Sequence, residues 1–186
     1  MTLPYEEYLA EILIDEETLQ KRIRELGHQI SKDYEGVDDL LLVCILRGGV
    51  VFLTDLMRQI TVPHEIDFLA VSSYGKGVRE ASGRVRIDHD LMSEATGKHV
   101  LIIEDIIDSG YTLRFVMDVM MARRPASLKL CTLLDKPSRR TIHIPIDYVG
   151  FTIEDKFVFG YGLDLDDKYR NLPFVGVVRL DALPQH

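Results

Sequence analysis

Cysteine is scarce in this chain. Only Cys44 and Cys131 occur among its 186 residues. Each sits inside an apolar run, LLVCIL and LKLCTLL. Buried, reduced thiols are expected there, which argues against a disulfide framework and against a catalytic cysteine. Paired histidines are lacking as well. His28, His64, His89, His99, His143 and His186 show no short metal-ligand spacing such as HExxH, so structural zinc is not expected. No apolar run approaches the roughly 20 residues of a membrane-spanning helix. The opening segment, MTLPYEEYLAEILIDEE, is acidic and broken by charges. It has neither the basic start nor the continuous apolar core of a signal peptide. A cytoplasmic location is the expectation from these absences. Basic charge is also short, with 22 Lys and Arg against 30 Asp and Glu and a formal net charge of −8. That argues against a nucleic-acid binder working through a general basic surface, and leaves room only for a local basic patch. There is no internal repeat and no low-complexity segment.

What is present is ordinary for a soluble globular protein: 46% hydrophobic and 28% charged residues. The length suits one compact domain, residues 1–186, with a small appended lobe. Leu19, Ile23, Leu26 and Ile30 recur at helical spacing and predict a helix over 16–33. Leu40 to Leu46 is short and wholly apolar, the mark of a strand buried on both faces. A turn at Arg47-Gly48-Gly49 leads into a helix over 50–60. Strands follow at 66–74, 84–88, 99–106, 127–134 and 148–151, with a helix at about 112–123. Strands alternating with helices predict an α/β fold, a parallel sheet with helices on both faces. The tail from Thr152 is rich in turn residues and has no long helix. With residues 1–15 it is expected to form a small cap, or hood, over the strand ends, built from about 1–15 and 152–186.

Val100 to Thr112, VLIIEDIIDSGYT, carries the most information. An apolar run ends in Glu104 and Asp105. Asp108-Ser109-Gly110-Tyr111-Thr112 follows, then the helical stretch LRFVMDVMMARR. A turn feeding a helix N-terminus aims backbone N–H groups at one spot, where the helix dipole favours an anion. Ser109 and Thr112 add hydroxyls, and Gly110 permits close approach. The acids suit ribose hydroxyls, or Mg²⁺ with its oxygen shell. A sugar phosphate would use both halves. Each residue taken alone has a plainer reading. Asp108 or Ser109 caps a helix, and the acids are solvated. Neighbouring strand residues face opposite ways, so both acids serve one ligand only if the strand ends there. Other pieces are similarly open. Arg47-Gly48-Gly49 is either an anion loop or a simple turn. The polar stretch after Ser72-Ser73-Tyr74, with three glycines between Gly75 and Gly83, is either a lid or only a loop. Lys136 reads as surface charge, and Phe157, Val158 and Phe159 as core.

The thirteen residues from Val100 to Thr112 closely resemble the phosphoribosyl diphosphate (PRPP) binding motif of type I phosphoribosyltransferases. There a hydrophobic strand, an acidic pair and a small-residue phosphate loop occur in this order. A second stretch, VGFTIEDKFVFGYGLDLDDKYRNL from Val149 to Leu172, is similar to the hypoxanthine and hypoxanthine-guanine branch. Its pattern is D-K-F-V-x-G-Y-x-L-D, with Arg170 six residues beyond Asp164. The likeness runs roughly from Leu40 to Arg179.

The resemblance implies a Rossmann-like parallel sheet of the type I phosphoribosyltransferase fold, with the hood as a small subdomain. It implies that a 6-oxopurine base is joined to PRPP with Mg²⁺, giving a nucleotide and pyrophosphate. Glu104 and Asp105 would meet the ribose, and Asp108, Ser109, Gly110, Tyr111 and Thr112 would hold the 5′-phosphate. Tyr111 stands where some members have Lys. Arg47, Gly48 and Arg170 would receive pyrophosphate, Arg47 replacing the Lys of many relatives. Ser73 and Tyr74 match a closing loop. Lys136 would donate to the exocyclic oxygen of the purine. Phe157 would stack on the base, and Val158 would present backbone groups to its edge. Asp164 would hold Mg²⁺ through water, completing a set with Glu104 and Asp105. Asp108 would manage the imidazole proton of the base and is the catalytic candidate. Relatives imply a homodimer or homotetramer. A xanthine-preferring transferase, or a PRPP-sensing RNA-binding regulator on the same fold, are the alternative readings.

Overall fold

The computed structural model describes residues 4–73 and 85–183. The expected loop residues Tyr74 to Gly83 lie outside the described residues. The elements in chain order are β1 (Leu9–Ile14), α1 (Glu16–Asp33), β2 (Leu40–Leu46), α2 (Gly49–Met57), β3 (His64–Ser73), β4 (Val85–His89), β5 (His99–Ile107), α3 (Tyr111–Ala122), β6 (Ser127–Asp135), β7 (Tyr148–Thr152), β8 (Val158–Phe159) and β9 (Val175–Val178).

Local chemistry accounts for the first helix. Asp15 caps α1 by accepting from the Thr18 N–H at 2.8 Å. Glu16 and Glu17 occupy its first turn and Lys32 its last, the arrangement the helix dipole favours. Leu19, Ile23, Leu26 and Ile30 form its buried stripe.

Six strands form one sheet in the order β4-β3-β2-β5-β6-β7. The pairings are parallel except that β4 runs antiparallel to β3. Alternation along β2 divides the core. Leu40, Leu42 and Cys44 pack with α1 and α2 on one face. Leu41, Val43 and Ile45 pack with α3 on the other. The chain leaves β2 towards β3 on one side and later returns to β5 on the other. The strand order therefore reverses between β2 and β5, where open parallel sheets leave a crevice for ligands.

A second, three-stranded sheet has the order β1-β9-β8. It joins the two ends of the chain, with Leu9 opposite Val178. Phe159, Leu165, Leu172, Phe174 and Val178 form its own small core. Tyr161 ties this part to the helices. Its hydroxyl donates to the Asp55 carboxylate at 2.6 Å, and Gln20 donates to the same oxygen at 2.7 Å. Burial first, then that carboxylate, push the Tyr161 phenol well above its ordinary pKa.

Candidate active site

A cleft of about 420 Å³ opens at the β2–β5 reversal. Its floor is the carboxyl end of β5. β5 runs on past the acids to Ile107, one residue beyond the expected strand, so the strand does not have to end at the acids for both to serve one cleft. Its pairing with β2 stops at Ile103, whereas its pairing with β6 runs on to Ile107 opposite Asp135. Beyond Ile103 the strand has a neighbour on one side only. Both acids reach the cleft from this half-open segment.

Asp105 folds back, its Oδ1 accepting from the Ile106 N–H at 2.7 Å. Its other oxygen presses on Gly48. A Cβ at Gly48 would stand 1.5 Å from Asp105 Oδ2, so the loop and the acid fit together only with glycine there. The Leu46–Arg47 peptide bond just before it is cis.

Burial raises the pKa of Glu104 well above the usual carboxylate range, and the charge of Asp105 and a hydrogen bond to it add to the effect. The folded state thus holds this proton more tightly than the unfolded chain does. Its contribution to stability is present on the acid side and is lost as pH rises through the raised value. Glu104→Gln removes the charge, so it should raise the melting temperature of the free protein at neutral pH by a few degrees. Roughly 2–4 °C corresponds to about 1 kcal/mol for a chain of this size. It should also flatten the fall in stability from acid to neutral pH. A variant no more stable than the parent, with the same pH dependence, would contradict the buried-pair account.

The loop after β5 holds Asp108, Ser109, Gly110 and Thr112 against the cleft. Gly110 has φ +92 and stands immediately before α3. No side chain caps α3, so the plainer reading of Asp108 and Ser109 as caps does not hold. Tyr111 is the first residue of α3, is 39% exposed, and does not line the cleft. The Asp108 carboxylate meets Arg139 at 3.2 Å, both half exposed. Arg139 also lies 3.8 Å from Asp155, beside the Phe157 segment.

On the opposite wall, a Cβ at Gly162 (φ +95) would stand 2.2 Å from the Gly48 carbonyl oxygen. This contact brings Asp164 and Arg170 to the Arg47 loop, and all three line the cleft. Arg170 pairs with Asp164 at 2.7 Å and donates to the Gly162 carbonyl at 2.8 Å. Asp167 stands between the two arginines, 2.9 Å from Arg47 and 3.4 Å from Arg170.

The expected purine residues sit beside the cleft rather than in its lining. Lys136 is only 6% exposed, so it is not a surface charge. It follows β6, and its N–H donates to the Ile107 carbonyl at 3.0 Å, which sets it next to Asp108. Phe157 is 50% exposed, not core, whereas Val158 is buried. The Val178 N–H donates to the Phe157 carbonyl at 2.8 Å. By antiparallel alternation, the N–H and C=O of Val158 then point away from β9. Since β8 is a sheet edge, no strand among the described residues pairs with them. Ser73 ends β3, whose Val71 lines the cleft. Tyr74 is among the residues not described.

Glu104, Asp105 and Asp164 all reach the cleft but do not make one metal cage. Among the described residues no three acidic, His or Cys side chains converge on a point. That donor set fits an ion held by one or two carboxylates, water and ligand oxygens, the habit of Mg²⁺. Sequence reasoning missed Asp167, Arg139 and Arg140. The only local signal was the basic pair following Lys136. Among the described residues no helix is long and apolar enough to cross a membrane.

The family described as Phosphoribosyl transferase domain matches residues 10–167. A hypoxanthine phosphoribosyltransferase of Haemophilus influenzae is 50% identical over 174 residues, 92% of this chain and 97% of that protein. One from Escherichia coli K12 is 47% identical over 93% of this chain and 97% of that protein. Among solved structures, a Staphylococcus aureus hypoxanthine phosphoribosyltransferase superposes with a TM-score of 0.94 at 43% identity, covering 100% of both chains.

Proposed function

The chain belongs to the phosphoribosyl transferase family, and on that premise we propose that it is a purine-salvage enzyme, a hypoxanthine phosphoribosyltransferase. It joins hypoxanthine, with guanine as a second 6-oxopurine, to PRPP and releases pyrophosphate. The observation that carries this reading is the shared cleft. A loop leading into a helix N-terminus and an adjacent acidic pair face one volume at the reversal of the sheet.

Each part of the reading has a physical role. Ser109, Gly110 and Thr112 take the 5′-phosphate, and Tyr111 contributes its backbone only. Glu104 and Asp105 orient the ribose hydroxyls, so the reacting carbon is held in place. Pyrophosphate leaves as positive charge grows on the sugar ring. Arg47 and Arg170 stabilise the departing charge, and Gly48 lets the loop close on it. The two arginines are already drawn together by Asp167, whose carboxylate pyrophosphate replaces. Mg²⁺, held by Asp164 on one wall and by Glu104 or Asp105 on the other, would neutralise leaving-group charge. Asp108 accepts the imidazole proton of the base as the N–C bond forms. Lys136 reads the 6-oxo group, Phe157 stacks on the ring, and Val158 offers its edge-strand backbone. The second sheet, with residues of 1–15 and 152–186, serves as the hood. The reading includes a homodimer or homotetramer, as the resemblance implies, and a cytoplasmic location.

Base recognition is tested at Lys136. Lys136→Ala should raise the KM for hypoxanthine roughly 10–100-fold, the scale of about 1.5–3 kcal/mol lost with a charged hydrogen bond. The KM for PRPP should hold, and preference among bases should weaken. Unaltered kinetics with 6-oxopurines would exclude Lys136 as their reader.

A further inference from the structure

Residues 140–142 pack against the loop after β5, and none of the three lines the cleft. The Arg140 side chain is 14% exposed. Its Nε donates to the Asp108 carbonyl at 3.0 Å. Its Nη2 lies 3.5 Å from the Ile107 carbonyl and pairs with the Asp135 carboxylate at the end of β6. The next residues continue the pattern. Thr141 gives its N–H to the Ser109 carbonyl at 3.0 Å and its hydroxyl to the same oxygen at 3.1 Å. The Ile142 N–H adds a third contact there at 3.2 Å. Three successive carbonyls, of residues 107, 108 and 109, are therefore held from behind.

A trans peptide unit is planar, and its C=O and N–H point in opposite directions. Holding those carbonyls outward turns the N–H groups of Asp108, Ser109 and Gly110 towards the cleft. A carbonyl rotated inward would present negative charge to an anion instead. The brace thus fixes the sign of the local field, and successive N–H groups facing one point make an anion-binding concavity. Gly110 fits the same construction. A Cβ there would approach the Ile142 carbonyl oxygen at 3.0 Å and Arg140 Cδ at 3.2 Å.

We propose that Arg140 is a positioning residue for the 5′-phosphate, acting through the backbone of residues 107–109 without touching the ligand. The inference rests on the reading of that loop as the phosphate site. Arginine suits the task because its planar fork serves a carboxylate and a carbonyl at once, and one ammonium does not.

The test compares binding of hypoxanthine nucleoside and its 5′-monophosphate to the full chain, with PRPP kinetics alongside. Wild type should favour the monophosphate. In Arg140→Met that preference should shrink roughly 10–100-fold, the scale of charge-assisted contacts, with nucleoside affinity within about twofold. The KM for PRPP should rise by a similar factor while kcat at saturation changes far less. Arg140→Lys keeps the charge and the Asp135 partner, so it folds if the Met variant does not, and it should fall between the two. Variants retaining the full preference would overturn the proposal. So would an equal loss of nucleoside and monophosphate, which marks a general structural role. A wild type indifferent to the phosphate would instead overturn the site reading on which the proposal stands.

Discussion

Asp108→Asn should lower kcat by roughly 10²–10⁴-fold, the range for a positioned acid–base group. Asn keeps the shape and much of the hydrogen bonding, but it takes no proton at neutral pH. Asp108 stands in a loop assigned to an anion, where a negative side chain repels the ligand. It does not cap α3, so helix stability does not explain its presence. The neighbouring Arg139, 3.2 Å away, offsets part of the repulsion. In the Asn variant that guanidinium loses its partner and remains close to the anion. PRPP affinity should therefore hold or improve. Steady-state kinetics with saturating hypoxanthine checks both halves. A surviving kcat with collapsed PRPP affinity would make Asp108 a binding residue and refute the proton-transfer role.

Gly48→Ala should reduce kcat/KM for PRPP by about 10²-fold or more, because a misplacement near 1 Å is enough for such a loss. The added Cβ would stand 1.5 Å from Asp105 Oδ2. Either the acid or the loop must move, and both belong to the site. Backbone strain is not the cause, since φ at Gly48 is −62°, which alanine adopts freely. The KM for hypoxanthine should change less than the PRPP term. Kinetics within twofold of wild type would show that the contact between Gly48 and Asp105 is dispensable.

Much of the sheet was legible because its signals are local. The run from Leu40 to Leu46 is buried along nearly its whole length, and the α1 stripe recurs at helical spacing. The loop after β5 was legible for the same reason, since strand, acids, turn and helix are contiguous. The strands of the second sheet were not legible. In β1, LAEILI, a charge interrupts the pattern, and β8 has only two residues. These strands exist through partners far along the chain, Leu9 with Val178 and Val158 with Val177. The acidic pair shows a subtler limit. Alternation along a strand made a shared ligand conditional on the strand ending near Glu104–Asp105, yet the loss of one neighbouring strand after Ile103 suffices. Arg139, Arg140 and Asp167 were invisible because their meaning lies in partners. Arg139 meets Asp108 from 31 residues away, and Asp167 matters only because the Gly162 turn abuts Gly48.

Release of pyrophosphate from PRPP and Mg²⁺, measured across hypoxanthine, guanine, xanthine and uracil with a no-base control, tests the central claim most directly. The account predicts release with hypoxanthine, weaker or equal release with guanine, and one nucleotide formed per pyrophosphate. It predicts none with uracil, because it assigns Lys136 and the Phe157 segment to a 6-oxopurine. It also predicts none without a base, because it makes the base the group that displaces pyrophosphate. Pyrophosphate released equally without any base, or with uracil in preference to purines, would contradict it.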